Sequence, residues 1–290
     1  MSRMRWIRQM LTLGFLAALV VTTGLAQASA PTRARDIALE VVFLDVGQGD
    51  AILIKLGARA VLVDASGGDD IILLLREHGI DSLVAAIASH NHEDHIGGMD
   101  AVIADHPIGR YFANGRPPEG SRARSVEDWL RRERTTLAPV PWQPIQLGDA
   151  QITVLRPPPL TSDNDAENNS SLGVLIERGG FRALLTGDSE LEELSGWMKA
   201  GVIPDVDVLK AAHHGARNGV TPGWLDRTKP EVVVVSVGAN NTYGHPDPWA
   251  MRYYELHRRK VYRTDRDGTV TVRVERDGQY RVETSGPTAR

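Results

Sequence analysis

The stretch SHNHEDHIGG runs from Ser89 to Gly98 and places three histidines and two carboxylates within six residues. His90 and His92 are two residues apart, so both imidazoles can project to one side of an extended turn and share a metal ion. Asp94 and His95 can turn toward a second ion. Imidazole and carboxylate ligands without a thiolate suit Zn(II), Mn(II) or Fe(II). The pattern predicts a dinuclear metal site, and a solvated polar loop is the alternative.

The chain around this stretch alternates between strand-like and helix-like segments. Residues 83–89 are typical of a buried strand, and the glycines at positions 97 and 98 allow close packing at the start of a helix. With 290 residues and 42% hydrophobic content, the chain can bury a substantial core. It contains no cysteine, so its stability must come from that core and from bound metal. These features predict one α/β domain.

The N-terminal residues have the pattern of a signal peptide. Arginines at positions 3, 5 and 8 precede an apolar run from Met10 to Leu25, and an A-x-A cleavage site ends at Ala28. The sequence therefore predicts a signal peptide over residues 1–28 and a mature domain, periplasmic or secreted, over residues 29–290. An uncleaved membrane anchor is the alternative, although the apolar run is shorter than the roughly 20 residues of a spanning helix.

The charge of the mature domain bears on its partners. Removal of residues 1–28 takes away three arginines and no acidic residue, which changes the formal charge from −4 to −7. This acidic balance argues against broad electrostatic capture of nucleic acid, whose binding depends on neutralised phosphates. Arginines 122, 124, 131, 132 and 134 lie near Trp129 in sequence. They fit either a local phosphate-binding face or an amphipathic surface helix with solvated arginines.

Two apolar strands in the second half of the chain end in residues that can bind metal. The strand that begins at Phe181 leads to Asp188, which could bridge two ions or cap the following helix. The strand that begins at Val206 leads into His213 and His214. Six of the nine histidines thus lie in three short motifs, a clustering that packing alone does not explain.

Two further positions are candidates for contact with a substrate. Lys210 is an unusual charge at the end of a strand, where it contacts either a substrate or a nearby carboxylate, Asp205 or Asp207. The motif NTYGHP contains Tyr243 and His245. For His245 the sequence leaves three roles open, namely binding of substrate, donation of a proton and stabilisation of the turn.

The segment Glu167–Ser171, ENNSS, precedes an apolar strand and is also a candidate for substrate binding. Its side-chain amides and hydroxyl, at Asn168, Asn169 and Ser170, suit a phosphate group or a bound water. A polar turn without a functional role is the alternative.

These motifs together resemble the metallo-β-lactamase superfamily and, within it, the exported metallo-hydrolase domain of ComEC-type competence proteins. The resemblance rests on seven motifs in the order of that family: FLDVGQGDAILI (43–54), VLVDAS (61–66), SHNHEDHIGG, ENNSS, LLTGDSE (184–190), DVLKAAHHG (207–215) and NTYGHP. It implies an αββα sandwich in a single domain. It also implies two divalent ions, Zn(II) or Mn(II), one bound by His90 and His92, the other by Asp94, His95 and His213, with Asp188 as the bridge.

The chain departs from the family pattern in two places. Glyoxalase-like members carry another histidine on the strand before the bridging aspartate, where this chain has Asn168–Ser171. The first metal is therefore expected to have two histidines only, besides the bridge and water. ComEC proteins that transport DNA also carry a polytopic channel, whereas no apolar spanning segment follows residue 28 here. We therefore expect no channel and no stable membrane insertion after signal cleavage.

The resemblance implies an exported hydrolase that cleaves phosphoesters, with phosphodiesterase or nuclease activity first and DNA as a candidate substrate. Asp188 would orient the attacking water, and His214 or His245 would protonate the leaving oxygen. Hydrolysis of an amide or ester ring, as in β-lactamases and lactonases, is one alternative. A non-catalytic, metal-stabilised envelope binding module is another, but a pure binder needs no open dinuclear centre.

Overall fold

The structure is a computed structural model that describes residues 37–161 and 166–286. The predicted signal peptide, residues 1–28, lies outside the described residues. No helix within the described ranges is long and apolar enough to cross a membrane.

Strands and helices alternate along the described chain. The strands are β1 (Leu39–Phe43), β2 (Ile52–Leu56), β3 (Arg59–Val63), β4 (Ala85–Ile87), β5 (Tyr111–Phe112), β6 (Ile145–Leu147), β7 (Ala150–Leu155), β8 (Gly173–Arg178), β9 (Phe181–Leu185), β10 (Val208–Lys210), β11 (Val232–Val235), β12 (Lys260–Arg263), β13 (Val270–Val274) and β14 (Tyr280–Thr284). The helices are α1 (Asp70–Glu77), α2 (Glu93–Ile96), α3 (Met99–Asp105), α4 (Gly120–Arg132), α5 (Leu191–Ala200), α6 (Pro222–Thr228), α7 (Pro248–Leu256) and α8 (Thr264–Asp267).

The strands form two mixed sheets of seven strands each. The first has the order β14-β13-β1-β2-β3-β4-β5, and the second has the order β12-β11-β10-β9-β8-β7-β6. In the first sheet β1 pairs antiparallel with β13, with Leu39 opposite Val274, so the first strand lies beside a strand from the end of the described chain. In the second sheet β9, β10, β11 and β12 are parallel, and their carboxyl ends therefore meet at one edge.

The apolar side chains divide into three layers because alternate residues of a strand point to opposite faces. Residues such as Val41, Ile54 and Val174 pack between the two sheets. The outer face of the first sheet is covered by α1, α3 and α4, and the outer face of the second by α5, α6 and α7. This arrangement confirms the predicted single-domain αββα sandwich.

The arginine-rich segment near Trp129 forms α4, an amphipathic helix. Its buried face consists of Ala123, Val126 and Leu130. Arg122 is paired with Asp100 at 3.0 Å, and other arginines of the helix lie on its outer face. Of the two interpretations that the sequence left open, the structure supports the amphipathic helix.

Candidate metal centre

The predicted metal ligands come from loops that follow three strands. His90, His92, Asp94 and His95 lie after β4 in the first sheet, and Asp188 follows β9 in the second. Because β10 lies next to β9 and runs parallel to it, the two histidines that follow β10 reach the same edge of the sheet as Asp188. The two sheets therefore bring together residues that are more than a hundred positions apart in sequence.

Four of these side chains form a close group, which we call the inner cluster: Asp94, His95, Asp188 and His214. Their ligand atoms all lie within 4.8 Å of one another. His95 Nε2 is 3.2 Å from Asp188 Oδ1, and His214 Nε2 is 3.4 Å from Asp188 Oδ2 and 3.3 Å from Asp94 Oδ2.

The inner cluster has the chemistry of a site for a divalent ion. His95 Nε2, His214 Nε2 and Asp188 Oδ1 are buried, and within the part of the chain that the structure describes they contact charged groups of the same cluster without a hydrogen bond of regular geometry. Buried polar atoms normally have partners, because an unsatisfied one is costly. Two imidazoles and two carboxylates that face each other in this way fit Zn(II) or Mn(II).

His90 and His92 lie beside the inner cluster, and we call them the outer pair. His90 Nε2 is 3.0 Å from His92 Nδ1, and the ring centroids of His90 and His95 are 4.1 Å apart. His90 is fully buried, whereas His92 is exposed. Burial and the nearby charge of His95 hold the pKa of His90 well below its ordinary value. His90 is therefore neutral, which is the form that binds metal.

The structure places His214 in the inner cluster, where the resemblance implied His213. Both have left-handed backbone conformations, with φ of 49° and 52°, which are uncommon for residues other than glycine. This turn directs His214 into the inner cluster, where the Ser236 carbonyl oxygen lies 2.9 Å from its Nδ1. His213 stays at the cavity surface, with Nε2 3.8 Å from Asp188 Oδ2 and Nδ1 3.1 Å from Glu190 Oε1.

Asp64, at the end of the VLVDAS motif, orients His95. Its Oδ2 lies 2.8 Å from His95 Nδ1, which leaves Nε2 facing the inner cluster. Ser89 holds Asp64 in place, because its backbone N–H and its hydroxyl donate to the two carboxylate oxygens at 2.6 and 2.7 Å. A carboxylate that hydrogen-bonds the far nitrogen of a ligand histidine fixes its tautomer and orientation. The sequence pattern alone does not assign this role to Asp64.

The DVGQGD motif supports the loop that carries Asp94. The backbone N–H of Asp50 donates to the Asp94 carbonyl at 2.9 Å. Gly49 has a φ of +121°, and a Cβ atom there would lie 2.1 Å from the Asp94 carbonyl oxygen. No residue with a side chain fits this position without displacing the ligand loop.

Lys210 is an internal residue, and the predicted contact with substrate does not agree with its position. Its side chain has 0% exposure. The ammonium group lies 2.6 Å from Asp50 Oδ2 and 3.5 Å from Asp188 Oδ1, and it donates to the Gly187 carbonyl at 2.8 Å. Within the described residues, Lys210 also does not pair with Asp205 or Asp207, the alternative partners. Its ammonium group lies among Asp50, Asp188 and the Gly187 carbonyl instead.

The ENNSS segment is mostly structural. Asn169 Oδ1 accepts hydrogen bonds from the backbone N–H groups of Glu190 and Glu193, both at 3.2 Å, at the start of α5. The Ser170 hydroxyl donates to the Ala166 carbonyl at 2.6 Å. Only Asn168 lines the cavity above the inner cluster. The substrate contacts predicted for Asn169 and Ser170 therefore do not agree with their buried positions.

Opposite charges in the inner cluster stabilise each other despite their burial. Burial alone would raise the pKa of Asp188, but the charges of His214 and His95 hold that pKa well below its ordinary value. Burial would also lower the pKa of both histidines, yet Asp188 raises the pKa of His95 well above its ordinary value and that of His214 to about 9. A metal ion that binds here therefore competes with protons on both rings.

Two adjoining cavities lie above the inner cluster. The first, of about 310 Å³, is lined by Asp188, both histidines that follow β10, and the predicted substrate contacts Asn168, Tyr243 and His245. The second, of about 620 Å³, shares His213, Tyr243 and His245 with it. A further cavity of about 700 Å³ lies beneath α4 and has mainly apolar walls, without any residue of the inner cluster. The first two cavities thus provide access to the candidate centre.

The chain belongs to the metallo-beta-lactamase superfamily, whose family model matches residues 44–238. It is 30% identical over 258 residues to ComE operon protein 3 of Bacillus subtilis (strain 168), which covers 81% of this chain and 33% of that relative. It is 29% identical over 247 residues to Competence protein ComA of Neisseria gonorrhoeae, which covers 82% of this chain and 33% of that relative. The chain thus spans about a third of the length of these relatives.

The fold is also similar to that of Tm1679, a metal-dependent hydrolase of the beta-lactamase superfamily. The TM-score is 0.51 at 12% identity, and the match covers 85% of this chain and 100% of that chain. These comparisons confirm the fold and the ComEC-type resemblance predicted from the motifs. Together with the inner cluster, they define the protein as a metal-dependent hydrolase.

Proposed function

We propose that the protein is an exported phosphodiesterase with a dinuclear metal centre. The observation that carries the proposal is the convergence of buried imidazole and carboxylate ligand atoms below an open polar cavity. In this assignment the outer pair would hold one ion, Asp94, His95 and His214 would hold the other, and Asp188 would be a ligand to both. Divalent ions at these positions supply an activated water and polarise the phosphoryl group.

We assign His214 as a metal ligand and His213 as the proton donor to the leaving oxygen. His214 is fully buried among carboxylates, whereas His213 lines both cavities and is oriented by Glu190. Burial and the neighbouring His213 and His214 lower the pKa of His245. His245 is therefore neutral near pH 7 and is better suited to hydrogen-bond the substrate than to protonate it.

The preference for a phosphoester over a ring carbonyl rests on the polar walls of the cavity. A tetrahedral phosphate presents several oxygens that side-chain amides, imidazoles and metal ions can bind together. Asn168, His213 and His245 offer such groups around the inner cluster. One relative, of Neisseria gonorrhoeae, is a competence protein, which makes DNA the first substrate to test. The N-terminal motif supports export to the periplasm or the medium.

A substrate panel on the purified protein tests the proposal. With Mn(II) or Zn(II), we expect cleavage of bis(p-nitrophenyl) phosphate or short single-stranded DNA and poor turnover of a chromogenic cephalosporin. Asp188→Asn, purified in parallel, is the control for a contaminating nuclease and should be inactive. Efficient cephalosporin hydrolysis without phosphodiester cleavage under either metal would refute the proposal in favour of ring hydrolysis. Metal binding without any turnover would favour the envelope binding module.

A further inference from the structure

The larger of the two adjoining cavities is not explained by metal binding. Its volume is about 620 Å³, and it adjoins the space above the inner cluster, because His213, Tyr243 and His245 line both. Away from the metal ligands it is lined by Arg217 and Trp249, among other residues. A substrate bound at the metals can therefore extend into it, and we call it the side cavity.

Two stacked groups of planar side chains line the side cavity or support its wall. Trp249 lies nearly parallel to Tyr253, with an interplanar angle of 13° and centroids 5.1 Å apart, and the Arg217 guanidinium is 5.0 Å from the centre of the Trp249 ring. Tyr243 lies nearly parallel to His245, at 10°. Planar groups that are already ordered in this way lose little freedom when a further ring stacks on them.

Exposed apolar side chains are also concentrated at the side cavity. Leu191, Tyr243 and Trp249 are 50%, 65% and 38% exposed. All three line this one space, next to the cation of Arg217. Large exposed apolar side chains that cluster beside a site mark a binding surface. A planar ring attached to an anionic phosphate complements both the aromatic groups and the arginine.

We propose that the side cavity is a stacking subsite for the nucleobase next to the scissile phosphate. The inference rests on the proposed function, since the phosphate is placed at the metal centre. Stacking on aromatic rings and on an arginine plane is tolerant of base identity, because every base presents a π-face. The subsite therefore selects nucleotides over simpler phosphoesters without selecting a particular sequence.

Calorimetric titration of the metal-loaded protein with two phosphates, one of which lacks the base, tests this subsite. The ligands are thymidine 5′-monophosphate and 2-deoxyribose 5-phosphate. We expect the wild type to bind the nucleotide about tenfold more tightly, in the range measured for base stacking on aromatic side chains. Trp249→Ala and Arg217→Ala should each reduce this preference severalfold, with little change in affinity for the sugar phosphate after Trp249→Ala.

Two further variants serve as controls. Trp142→Ala removes a tryptophan that is 88% exposed and does not line the side cavity, and it should keep the preference. Trp249→Phe keeps an aromatic ring and should retain most of the preference for the nucleotide. It therefore distinguishes loss of stacking from misfolding of the variant at this position. Equal affinities of the wild type for the two ligands, or an undiminished preference in Trp249→Ala, would overturn the subsite.

The outcomes separate this inference from the proposed function. Hydrolysis of bis(p-nitrophenyl) phosphate without any preference for the nucleotide refutes the subsite and leaves the phosphodiesterase standing. A preference that depends on Trp249, in a preparation that cleaves no phosphodiester, supports a nucleotide-binding subsite and refutes the phosphodiesterase.

Discussion

The inner cluster and the outer pair differ in how firmly the protein holds their side chains. In the inner cluster His95 is oriented by Asp64, and the Nδ1 atom of His214 faces the Ser236 carbonyl. In the outer pair His90 lies 3.0 Å from the Ser89 hydroxyl, and its other nitrogen faces His92, which is exposed. One half of the centre is thus ordered by the fold, and the other half depends on an exposed side chain.

Because of this difference, two ions are not expected to bind with equal affinity. Ligands that are already oriented lose less freedom on binding, and outer hydrogen bonds raise metal affinity. The outer pair also lacks the third histidine found in glyoxalase-like members, because the ENNSS segment stands in its place. Asn169 of that segment is engaged at the start of α5. We therefore expect one tight ion in the inner cluster and one weaker ion at the outer pair.

Substitutions of the inner cluster should have the largest effect. His95→Ala and Asp188→Asn each remove a ligand that contacts other members of the cluster, so metal content should fall and hydrolysis should drop by about three orders of magnitude or more. Metal analysis, steady-state kinetics and circular dichroism measure content, rate and fold. Full activity with retained metal in either variant would contradict the assignment.

Lys210→Met tests the internal support of the inner cluster. Removal of the ammonium group takes the nearest cation from the buried Asp50, and breaking a buried ion pair typically costs about 3–5 kcal/mol of unfolding free energy. Urea unfolding in the presence of a chelator measures this without any contribution from metal. The double variant with Asp50→Asn should recover part of the loss, and Lys199→Met, on the exposed end of α5, should be neutral. Unchanged stability of Lys210→Met would show that the ion pair is not needed.

His92→Ala separates the two halves directly. Because only the outer pair loses a ligand, we expect the tight ion to remain, the weaker ion to be lost and activity to fall about 10- to 100-fold. Titration with Zn(II) followed by metal analysis gives the number of ions and their affinities. If His92→Ala abolishes binding of both ions, the two halves are not independent and the comparison fails.

The affinity for metal should increase with pH. His214 has a pKa of about 9, raised by Asp188 against the effect of burial, so at neutral pH it carries a proton that metal binding must displace. Affinity should therefore increase by about tenfold per pH unit between pH 6.5 and 8.5, and by more if the proton on His95 is also released. Calorimetric titrations across this range measure it. An affinity that does not change with pH would refute the protonated state.

Glu193→Gln should have the smallest effect, and it should stabilise the protein, whereas Lys210→Met should destabilise it. Burial raises the pKa of Glu193 well above its ordinary value, against weaker hydrogen bonds from Ser189 and Ser171. The Glu193 carboxyl ionises at lower pH in the unfolded chain than in the native protein, so wild-type stability falls as pH rises above about 4. The variant should be more stable at pH 7, on the order of 1 kcal/mol, and equal near pH 4.

Thermal unfolding at both pH values measures this difference, with Glu77→Gln on the exposed face of α1 as the matched control. The result bears on the comparison, because Asp188 and Glu193 are both buried while their pKa values shift in opposite directions. Burial alone does not keep a carboxylate ionised; the imidazoles of the inner cluster do. Greater stability of the variant at pH 4 as well would mean that packing, and not charge, is responsible.

The fold could be predicted because its signals are local. Apolar strands, glycine turns and the SHNHEDHIGG stretch are each read within a short window, and their order matches one family. The partners Asp50 and Asp64 were missed because they reach the centre only through the pairing of β1, β2 and β3. A signal was available in both cases, since each is a carboxylate at the end or start of an apolar strand.

Other site residues could not be assigned from a sequence pattern at all. His213 and His214 are adjacent and of one type, so only the left-handed backbone of the turn decides which of them is buried. Lys210 was expected to contact a substrate or a nearby carboxylate, Asp205 or Asp207, and it is buried instead. Its burial depends on Asp50, a residue 160 positions earlier that the sequence does not link to it.

The pairing of β1 with β13 has a consequence for how the chain reaches its native state. Leu39 is synthesised long before Val274, its partner in the first sheet. Until the last strands emerge, one edge of β1 presents free backbone groups, and contacts so distant in sequence form slowly. A chain that ends before residue 270 would retain every residue assigned to the metal centre and still lack the strand that completes its sheet. Possession of the ligands is therefore not sufficient to complete the first sheet. That sheet also requires β13, which is far from β1 in sequence.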